Sequence, residues 1–228
     1  MSEMADLLAL AKATVTAAAG AVARADRAQL QSVLRVELAG KETKLAADEV
    51  LEAAIVPRLL ASGLPVLSEE SGVTGVLGDG KYWVVDPLDG TVNFFRGAGP
   101  SAISVALCDA GRPALGLIYR LDTRQLSWGG PGLGAWTDDR PITVSETARA
   151  EEGIVCAGFP ARFDPATLPE YFATLQRFAK VRMLGSAACA LLMVARGEVD
   201  AYYEDRIMFW DVAAGIALVR GAGGEVRV

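Results

Sequence analysis

Apolar residues recur every three or four positions in five stretches of the chain, which is the spacing of one face of an α-helix. The first stretch is alanine-rich and covers residues 5–25. The second covers residues 45–60 and is followed by Gly63, a residue that favours a helix end. The pattern also predicts three helices in the second half of the chain, over residues 168–178, 187–195 and 210–219.

Short apolar runs between turn residues predict β-strands in the first half of the chain. Residues 65–68 and 82–85 form two such runs, and residues 73–80 between them predict a glycine-bearing loop. A weaker alternation over residues 30–38 predicts extended chain.

The pattern next predicts a hairpin, in which residues 101–108 and 114–119 flank the turn Asp109-Ala110-Gly111-Arg112. The runs 125–128 and 134–136 extend it into a meander, which is typical of an antiparallel sheet.

The pattern changes near residues 145–152, because helices and strands alternate beyond this point. The strands there are predicted over residues 154–157, 180–184 and 199–203. Alternation of this kind favours a mixed or parallel second sheet. We therefore predict an α/β fold of α+β layered type. Residues 1–148 are expected to form an N-terminal α+β lobe with an antiparallel sheet and a metal-binding turn. Residues 149–228 are expected to form a C-terminal α/β lobe with a mixed sheet, and this lobe would complete the active site.

The composition permits a large core and narrows the chemistry. The 228 residues are 52% hydrophobic and carry a net charge of −6, which argues against a nucleic-acid partner. Histidine is absent, so Ser-His-Asp catalysis and imidazole zinc sites are excluded. Cys108, Cys156 and Cys189 lie in apolar segments, as buried thiols of a reducing cytoplasm do. No secretory signal or membrane-spanning run is expected, so the predicted location is cytoplasmic.

The segment that suggests chemistry is Asp86-Pro87-Leu88-Asp89-Gly90-Thr91. Pro87 fixes one φ angle and lacks an N–H, so the strand over residues 82–85 is expected to end there. Gly90 and Thr91 then open a short helix. Two carboxylates beside a helix N-terminus offer sites for a hard cation and for an anion.

Four acidic residues gain meaning together. Glu69 and Glu70 alone would be a solvated pair, Asp89 an ordinary turn residue, and Asp211 a charge at a helix start. Because they follow strands or begin helices, we predict that Glu69, Asp86, Asp89 and Asp211 converge on one cleft.

Three segments resemble the signatures of the inositol monophosphatase family, in the family's order. They are Glu69-Glu70-Ser71, Asp86 to Phe94 with its Asp-Pro-Leu-Asp-Gly-Thr core, and Trp210-Asp211-Val212-Ala213-Ala214-Gly215. Gly185-Ser186-Ala187-Ala188 and Ala201-Tyr202-Tyr203-Glu204 also match family segments. The resemblance implies an αβαβα sandwich, a homodimer, and Mg²⁺-dependent hydrolysis of phosphate monoesters inhibited by Li⁺ and Ca²⁺.

The same resemblance implies site roles, with two or three Mg²⁺ ions. Glu69, Asp86 and the carbonyl of Leu88 would bind the first ion, and Asp86, Asp89 and Asp211 the second. Glu69 and Thr91 would orient and deprotonate the attacking water, and Asp48 would accept a hydrogen bond from Thr91.

The resemblance also implies contacts with the substrate. The amides of Gly90 and Thr91 would hold the phosphate, and the leaving group would meet the residues Asp89, Gly185, Ser186, Ala187 and Glu204. Glu204 has a second interpretation, an ion pair with Arg206, and Tyr202 and Tyr203 are predicted to be core aromatics.

Two features depart from the family. The family usually has a Val-Thr-x-x-Asp run, but the stretch Lys41-Glu42-Thr43-Lys44-Leu45-Ala46-Ala47-Asp48 has no threonine three positions before Asp48. The chain also ends early, at Val228.

The predicted function is phosphomonoester hydrolysis on a small phosphorylated metabolite, a polyol or sugar phosphate such as inositol monophosphate. The alternatives with the same chemistry are a 3′(2′),5′-bisphosphate nucleotide, histidinol phosphate and fructose 1,6-bisphosphate. A regulatory or binding protein that keeps the fold is the alternative without catalysis. No membrane partner is expected.

Overall fold

The computed structural model describes residues 3–30, 32–36, 43–159 and 165–227. Its helices are α1 (Glu3–Arg24), α2 (Arg27–Leu30), α3 (Ala46–Leu60), α4 (Thr91–Arg96), α5 (Leu168–Leu175), α6 (Ala187–Ala195) and α7 (Phe209–Gly221), with 3₁₀ turns at Ala150–Glu152 and Pro165–Thr167. Its strands are β1 (Val33–Val36), β2 (Thr43–Leu45), β3 (Val66–Ser68), β4 (Gly72–Thr74), β5 (Lys81–Asp89), β6 (Ala102–Asp109), β7 (Arg112–Arg120), β8 (Gln125–Gly130), β9 (Gly134–Thr137), β10 (Arg140–Pro141), β11 (Ile154–Ala157), β12 (Lys180–Arg182) and β13 (Ala201–Tyr203).

The larger sheet has eight strands in the order β10-β9-β8-β7-β6-β5-β3-β4. Neighbouring strands are antiparallel except β3 and β5, which run parallel. The predicted antiparallel sheet is therefore confirmed with one parallel pair. The predicted loop over residues 73–80 begins as β4, because Gly72–Thr74 pairs with β3.

The smaller sheet has the order β12-β11-β13, and both pairings are parallel. A mixed sheet was predicted, but all pairings of this sheet in the described ranges are parallel. The reason is the connections, since α5 links β11 to β12 and α6 links β12 to β13. A separate antiparallel pair joins β1 to β2. Only β1 lies within residues 30–38, the stretch predicted to be extended, in which Leu30 ends α2 instead and residues 31, 37 and 38 fall outside the described ranges.

Five layers result, which confirms the predicted αβαβα sandwich. One apolar core lies between the eight-stranded sheet and helices α1 and α3. A second lies on the opposite face of that sheet, against α6 and α7. A third lies between the small sheet and α5. The lobe boundary at residues 148/149 stays a prediction.

Helix α7 lies almost in backbone contact with the large sheet. A Cβ atom built on Gly116 of β7 would stand 2.1 Å from the carbonyl oxygen of Ala214. Any larger residue at position 116 would therefore push α7 away from the sheet. This close packing matters for the site, because α7 carries Asp211.

Helix α1 corrects one expectation. Its 22 residues are long and apolar enough to cross a membrane by length and composition alone, although no such run was predicted. In the fold, however, Leu7, Ala11, Val15 and Ala18 are buried in the core shared with α3 and the large sheet. The prediction of buried, unpaired thiols is confirmed for Cys108, Cys156 and Cys189.

Candidate metal centre and substrate cleft

Strand β5 continues through Pro87, contrary to the prediction that it ends there. Asp86 pairs with Ser104 and Asp89 pairs with Ala102, so Pro87 and Leu88 of β5 lie opposite the single residue Ile103 of β6. This bulge accommodates the proline, which has no N–H to give to the ladder. Because Ser104 and Ala102 point to the same face, the bulge also turns Asp86 and Asp89 to one face, the side of α7.

The turn after the bulge is closed by two hydrogen bonds. The amide of Leu88 donates to Asp86 Oδ1 at 2.9 Å, and the hydroxyl of Thr91 donates to the carbonyl oxygen of Leu88 at 2.9 Å. A carbonyl has no proton to give, so the single hydroxyl proton of Thr91 points to Leu88 rather than to Asp48, the predicted acceptor. Asp48 lies buried in the first turn of α3.

Glu69 lies beside Asp86 because β3 and β5 are parallel neighbours. Ser68 pairs with Val85, and the Glu69 amide donates to the carbonyl oxygen of Val85 at 3.0 Å. Each strand therefore delivers its next residue, an acid, at the same edge of the sheet.

Asp211 reaches the same place from α7. It is the third residue of that helix, and its carboxylate accepts a hydrogen bond from the amide of Met208, which precedes the helix. Carboxylate oxygens of Glu69, Asp86 and Asp211 all lie within 4.8 Å of one another. Three separate elements thus meet in one acidic cluster, as the sequence predicted for these three residues.

Asp89 is not part of this group of three. Its carboxylate faces the N-terminus of α6, where it accepts hydrogen bonds from the Ser186 hydroxyl and from the amides of Ala188 at 2.9 Å and Ala187 at 3.3 Å. Ser186 also caps α6 by accepting from the amide of Cys189 at 3.2 Å.

Asn93, whose role was not predicted, joins the two sides of the cleft. Its side-chain amide donates to the carbonyl oxygens of Leu184 at 2.7 Å and Pro100 at 2.9 Å. Gly90 is required nearby, since its φ is +81° and a Cβ there would stand 2.9 Å from the Pro100 carbonyl oxygen. The only sequence signal for Asn93 was its place inside the Asp-Pro-Leu-Asp signature.

Burial raises the pKa of each acidic group of the cleft, and neighbouring acids add to the rise for Glu69, Asp86 and Asp211. Burial, opposed by a hydrogen bond with Asp86, raises the pKa of Glu69 to about 7. The residue is exposed overall, but its carboxyl group is enclosed by protein and faces other acids. Burial together with Asp89 and Glu69 raises the pKa of Asp211 to about 8, and burial raises the pKa of Asp86 well above its usual range. Burial also raises the pKa of Asp89 to about 6, against the hydrogen bonds from α6.

This centre fits a divalent cation on its donor set alone. It offers only oxygen ligands, which Mg²⁺ prefers, and like charges held close together are stabilised by a cation between them. The carbonyl oxygen of Leu88, a predicted ligand, belongs to the same turn.

A cavity of about 210 Å³ opens beside the cluster. Its walls include Asp211 and all five residues predicted to contact the leaving group: Asp89, Gly185, Ser186, Ala187 and Glu204. Phe159 and Tyr202 also line it, and neither was predicted to do so.

Glu204 is held by Tyr202, whose hydroxyl donates to Glu204 Oε2. Burial raises the pKa of the Glu204 carboxyl group, and this hydrogen bond opposes the rise. Gly158 packs against the same carboxylate so closely that a Cβ atom would overlap Oε2. Arg206 instead approaches Asp205, at 3.9 Å. Tyr202 is therefore a wall of the cleft rather than only a core aromatic, as had been predicted.

The layers and the acidic centre together define a layered α/β protein with a candidate divalent-metal site beside a small cleft. The chain belongs to the inositol monophosphatase family, whose model matches residues 3–227.

Individual relatives agree with this assignment. Inositol-1-monophosphatase of Synechocystis is 38% identical over 164 residues, 71% of this chain and 57% of the relative. Nus factor SuhB of Pasteurella multocida is 36% identical over 165 residues, 71% of this chain and 61% of the relative. The solved structure of inositol monophosphatase from Anabaena superposes with a TM-score of 0.84 at 31% identity, covering 98% of this chain and 84% of that one. The matched region thus spans less than two thirds of these two curated relatives.

Proposed function

We propose that this protein is a Mg²⁺-dependent phosphomonoesterase of the cytoplasm that acts on a small polyol or sugar phosphate, with inositol monophosphate as the first candidate. The observation that carries the proposal is the meeting of Glu69, Asp86 and Asp211 within 4.8 Å beside a cavity that Glu204 also lines. A phosphate bound at the cluster would place its alcohol in that cavity.

The metal ligands would be Glu69, Asp86, Asp211 and the Leu88 carbonyl, with Asp89 joining where a second or third ion binds. Bound Mg²⁺ would supply positive charge to the phosphate oxygens and make a water more acidic. Asp89 can bind an ion while it accepts hydrogen bonds from α6, because a carboxylate has about four lone-pair sites. Inhibition by Li⁺ and Ca²⁺ is part of the proposal.

The other groups of the turn would position the reaction. Glu69 would accept a proton from the attacking water. The carbonyl of Leu88 accepts the hydrogen bond of the Thr91 hydroxyl and would so hold the Thr91 oxygen beside that water. The amides of Gly90 and Thr91, at the start of α4, would donate to phosphate oxygens, since the first N–H groups of a helix have no partner within it. Asp48 would act through its negative charge near Glu69.

The cleft supports a small leaving group. Its volume of about 210 Å³ is below the ~300–1,000 Å³ of pockets for drug-sized ligands. Glu204 would accept hydrogen bonds from a diol, and Asp89, Gly185, Ser186 and Ala187 would line the ring.

Phosphate release should be measured with and without Mg²⁺ on a panel of inositol monophosphate, 3′(2′),5′-bisphosphate nucleotide, histidinol phosphate and fructose 1,6-bisphosphate. Asp211→Asn should reduce release at least about 100-fold, whereas Asp122→Asn, a surface acid paired with Arg120, should change it little. Metal-independent release equal in all three proteins would refute the proposal, and the panel decides among substrates.

A second candidate is a regulatory role, which the relatives named Nus factor SuhB favour. A protein that binds a partner equally well after Asp211→Asn, and shows no phosphatase activity before it, would support that role. The net charge of −6 argues against direct binding to nucleic acid. A homodimer without a membrane partner is the expected assembly.

A further inference from the structure

Glu52 reaches from α3 to the turn that carries Glu69. One oxygen, Glu52 Oε1, accepts a hydrogen bond from the Ser68 hydroxyl at 2.6 Å and another from the Ser71 amide at 3.0 Å. Ser68 ends β3 and Ser71 precedes β4, so the two donors bracket Glu69 and Glu70. A single carboxylate oxygen therefore holds both ends of the turn.

The outer side of this turn lies at the edge of the large sheet. It belongs to the hairpin of β3 and β4, and β4 is the last strand of the large sheet. Val73 is 50% exposed and Val76 is 88% exposed, so the chain beyond the turn contributes little packing. The inner side is fixed by the bond from the Glu69 amide to Val85.

The role of Glu52 is geometric rather than electrostatic. The largest contributions to the pKa shift of Glu69 come from burial and from Asp86, Glu70, Asp48 and Asp89, and Glu52 is not among them. Ser68 is also 1% exposed, so without Glu52 its hydroxyl would lose a partner inside the protein.

We propose that Glu52 is a positioning residue that fixes the Glu69 turn in the geometry required to bind a divalent cation. The inference rests on the proposed function for the identity of the cation. The hydrogen bonds that carry it are independent of catalysis, because they tie backbone and side-chain groups of the turn to α3.

Direct Mg²⁺ binding by titration calorimetry gives the first test. Glu52→Ala should weaken binding about tenfold, as loss of a group that orients metal ligands commonly does. Glu52→Gln keeps an acceptor oxygen at the same place and should stay within about threefold of the parent protein. Glu49→Gln removes one charge from the exposed side of the same helix and is the matched control for charge.

Amide hydrogen exchange of the metal-free protein gives the second test. Glu52→Ala should speed exchange at Ser71 at least about tenfold, while the Glu69 amide, bonded to Val85, should change much less. If Glu52→Ala fails to fold, Ser68→Ala removes one of the two bonds and should show a smaller shift in the same direction.

Two results would overturn the inference. One is unchanged exchange of the Ser71 amide in both Glu52→Ala and Ser68→Ala, and the other is an equal loss of Mg²⁺ affinity in Glu52→Gln and Glu52→Ala. A parent protein that binds no Mg²⁺ would instead overturn the proposed function. In that case the exchange of Ser71 would still decide whether Glu52 holds the turn.

Discussion

The hydroxyl of Ser186 donates a hydrogen bond to the carboxylate of Asp89 and at the same time accepts one from the amide of Cys189. One side chain thus caps α6 and fixes an acid of the large sheet. The two residues are far apart in sequence, and their contact ties the turn after β5 to the helix that walls the cleft.

Ser186→Ala should therefore lower stability and weaken the site together. We expect a loss of about 1–2 kcal/mol in the free energy of unfolding, the range for a lost N-cap, measured by urea denaturation. Mg²⁺ binding should also weaken, because Asp89 loses a partner. Ser186→Thr keeps a hydroxyl and should retain most of both properties. Full stability in the alanine variant would show that the cap contributes nothing.

The acidic centre predicts an unusual pH dependence for the metal-free protein. The pKa values of Asp89, Glu69 and Asp211 in the fold, about 6, 7 and 8, lie above those of the unfolded chain, so the folded state binds more protons between about pH 4 and pH 8. Their contribution to stability is present at low pH and is lost as pH rises through these values. Added Mg²⁺ should reverse the loss, and its effect should grow with pH.

Thermal unfolding from pH 5 to pH 8, in EDTA and in Mg²⁺, measures this loss of stability with rising pH. In EDTA the melting temperature should fall by several degrees across the range. Asp211→Asn should flatten the slope in EDTA, because it removes one of the repelling carboxylates. A melting temperature in EDTA that rises steadily with pH would contradict the raised pKa values.

Tyr202→Phe tests the wall of the cleft. Without the tyrosine hydroxyl, Glu204 is free to rotate, so KM for a polyol phosphate should rise about fivefold while kcat changes little. A phosphate ester whose alcohol lacks a diol should be unaffected. Tyr203→Phe is the control, because Tyr203 packs against Tyr171 and does not line this cavity. An equal effect on both substrates would remove Tyr202 from diol recognition.

Thr14 predicts a stabilising substitution far from the site. Its hydroxyl is buried in α1 and is the one buried side-chain oxygen or nitrogen in the described ranges that lacks a hydrogen-bond partner. Thr14→Val keeps the shape and removes the unpaired group, so the free energy of unfolding should rise by about 1 kcal/mol. Thr16→Val, on the exposed side of the same helix, should change it by less than about 0.5 kcal/mol. A destabilised Thr14→Val protein would indicate that the hydroxyl has a partner in solution.

Sequence patterns predicted what depends on local chemistry. Helix α6 was predicted over residues 187–195 and has these bounds, because a capping serine precedes an apolar run. The acids Glu69, Asp86 and Asp211 were predicted to converge because each follows a strand or begins a helix, and the sheet brings such points together.

Features that depend on partners distant in sequence were missed. Strand β4 has only three residues and becomes a strand through its pairing with β3. The continuation of β5 through Pro87 depends on β6, which accommodates the extra residue. Glu52 looks like any helix charge in sequence, and only the fold reveals that its oxygen meets Ser68 and Ser71.

The bulge at Pro87 has a consequence for recognising such centres in other chains. In a regular strand, residues three positions apart face opposite sides, so without the bulge Asp89 would turn toward the apolar layer under α1 and α3. The irregular pairing therefore carries as much information as the aspartates themselves. Homologues that keep both acids at this interval but pair them in a regular strand should have lost cation-dependent chemistry while preserving their architecture.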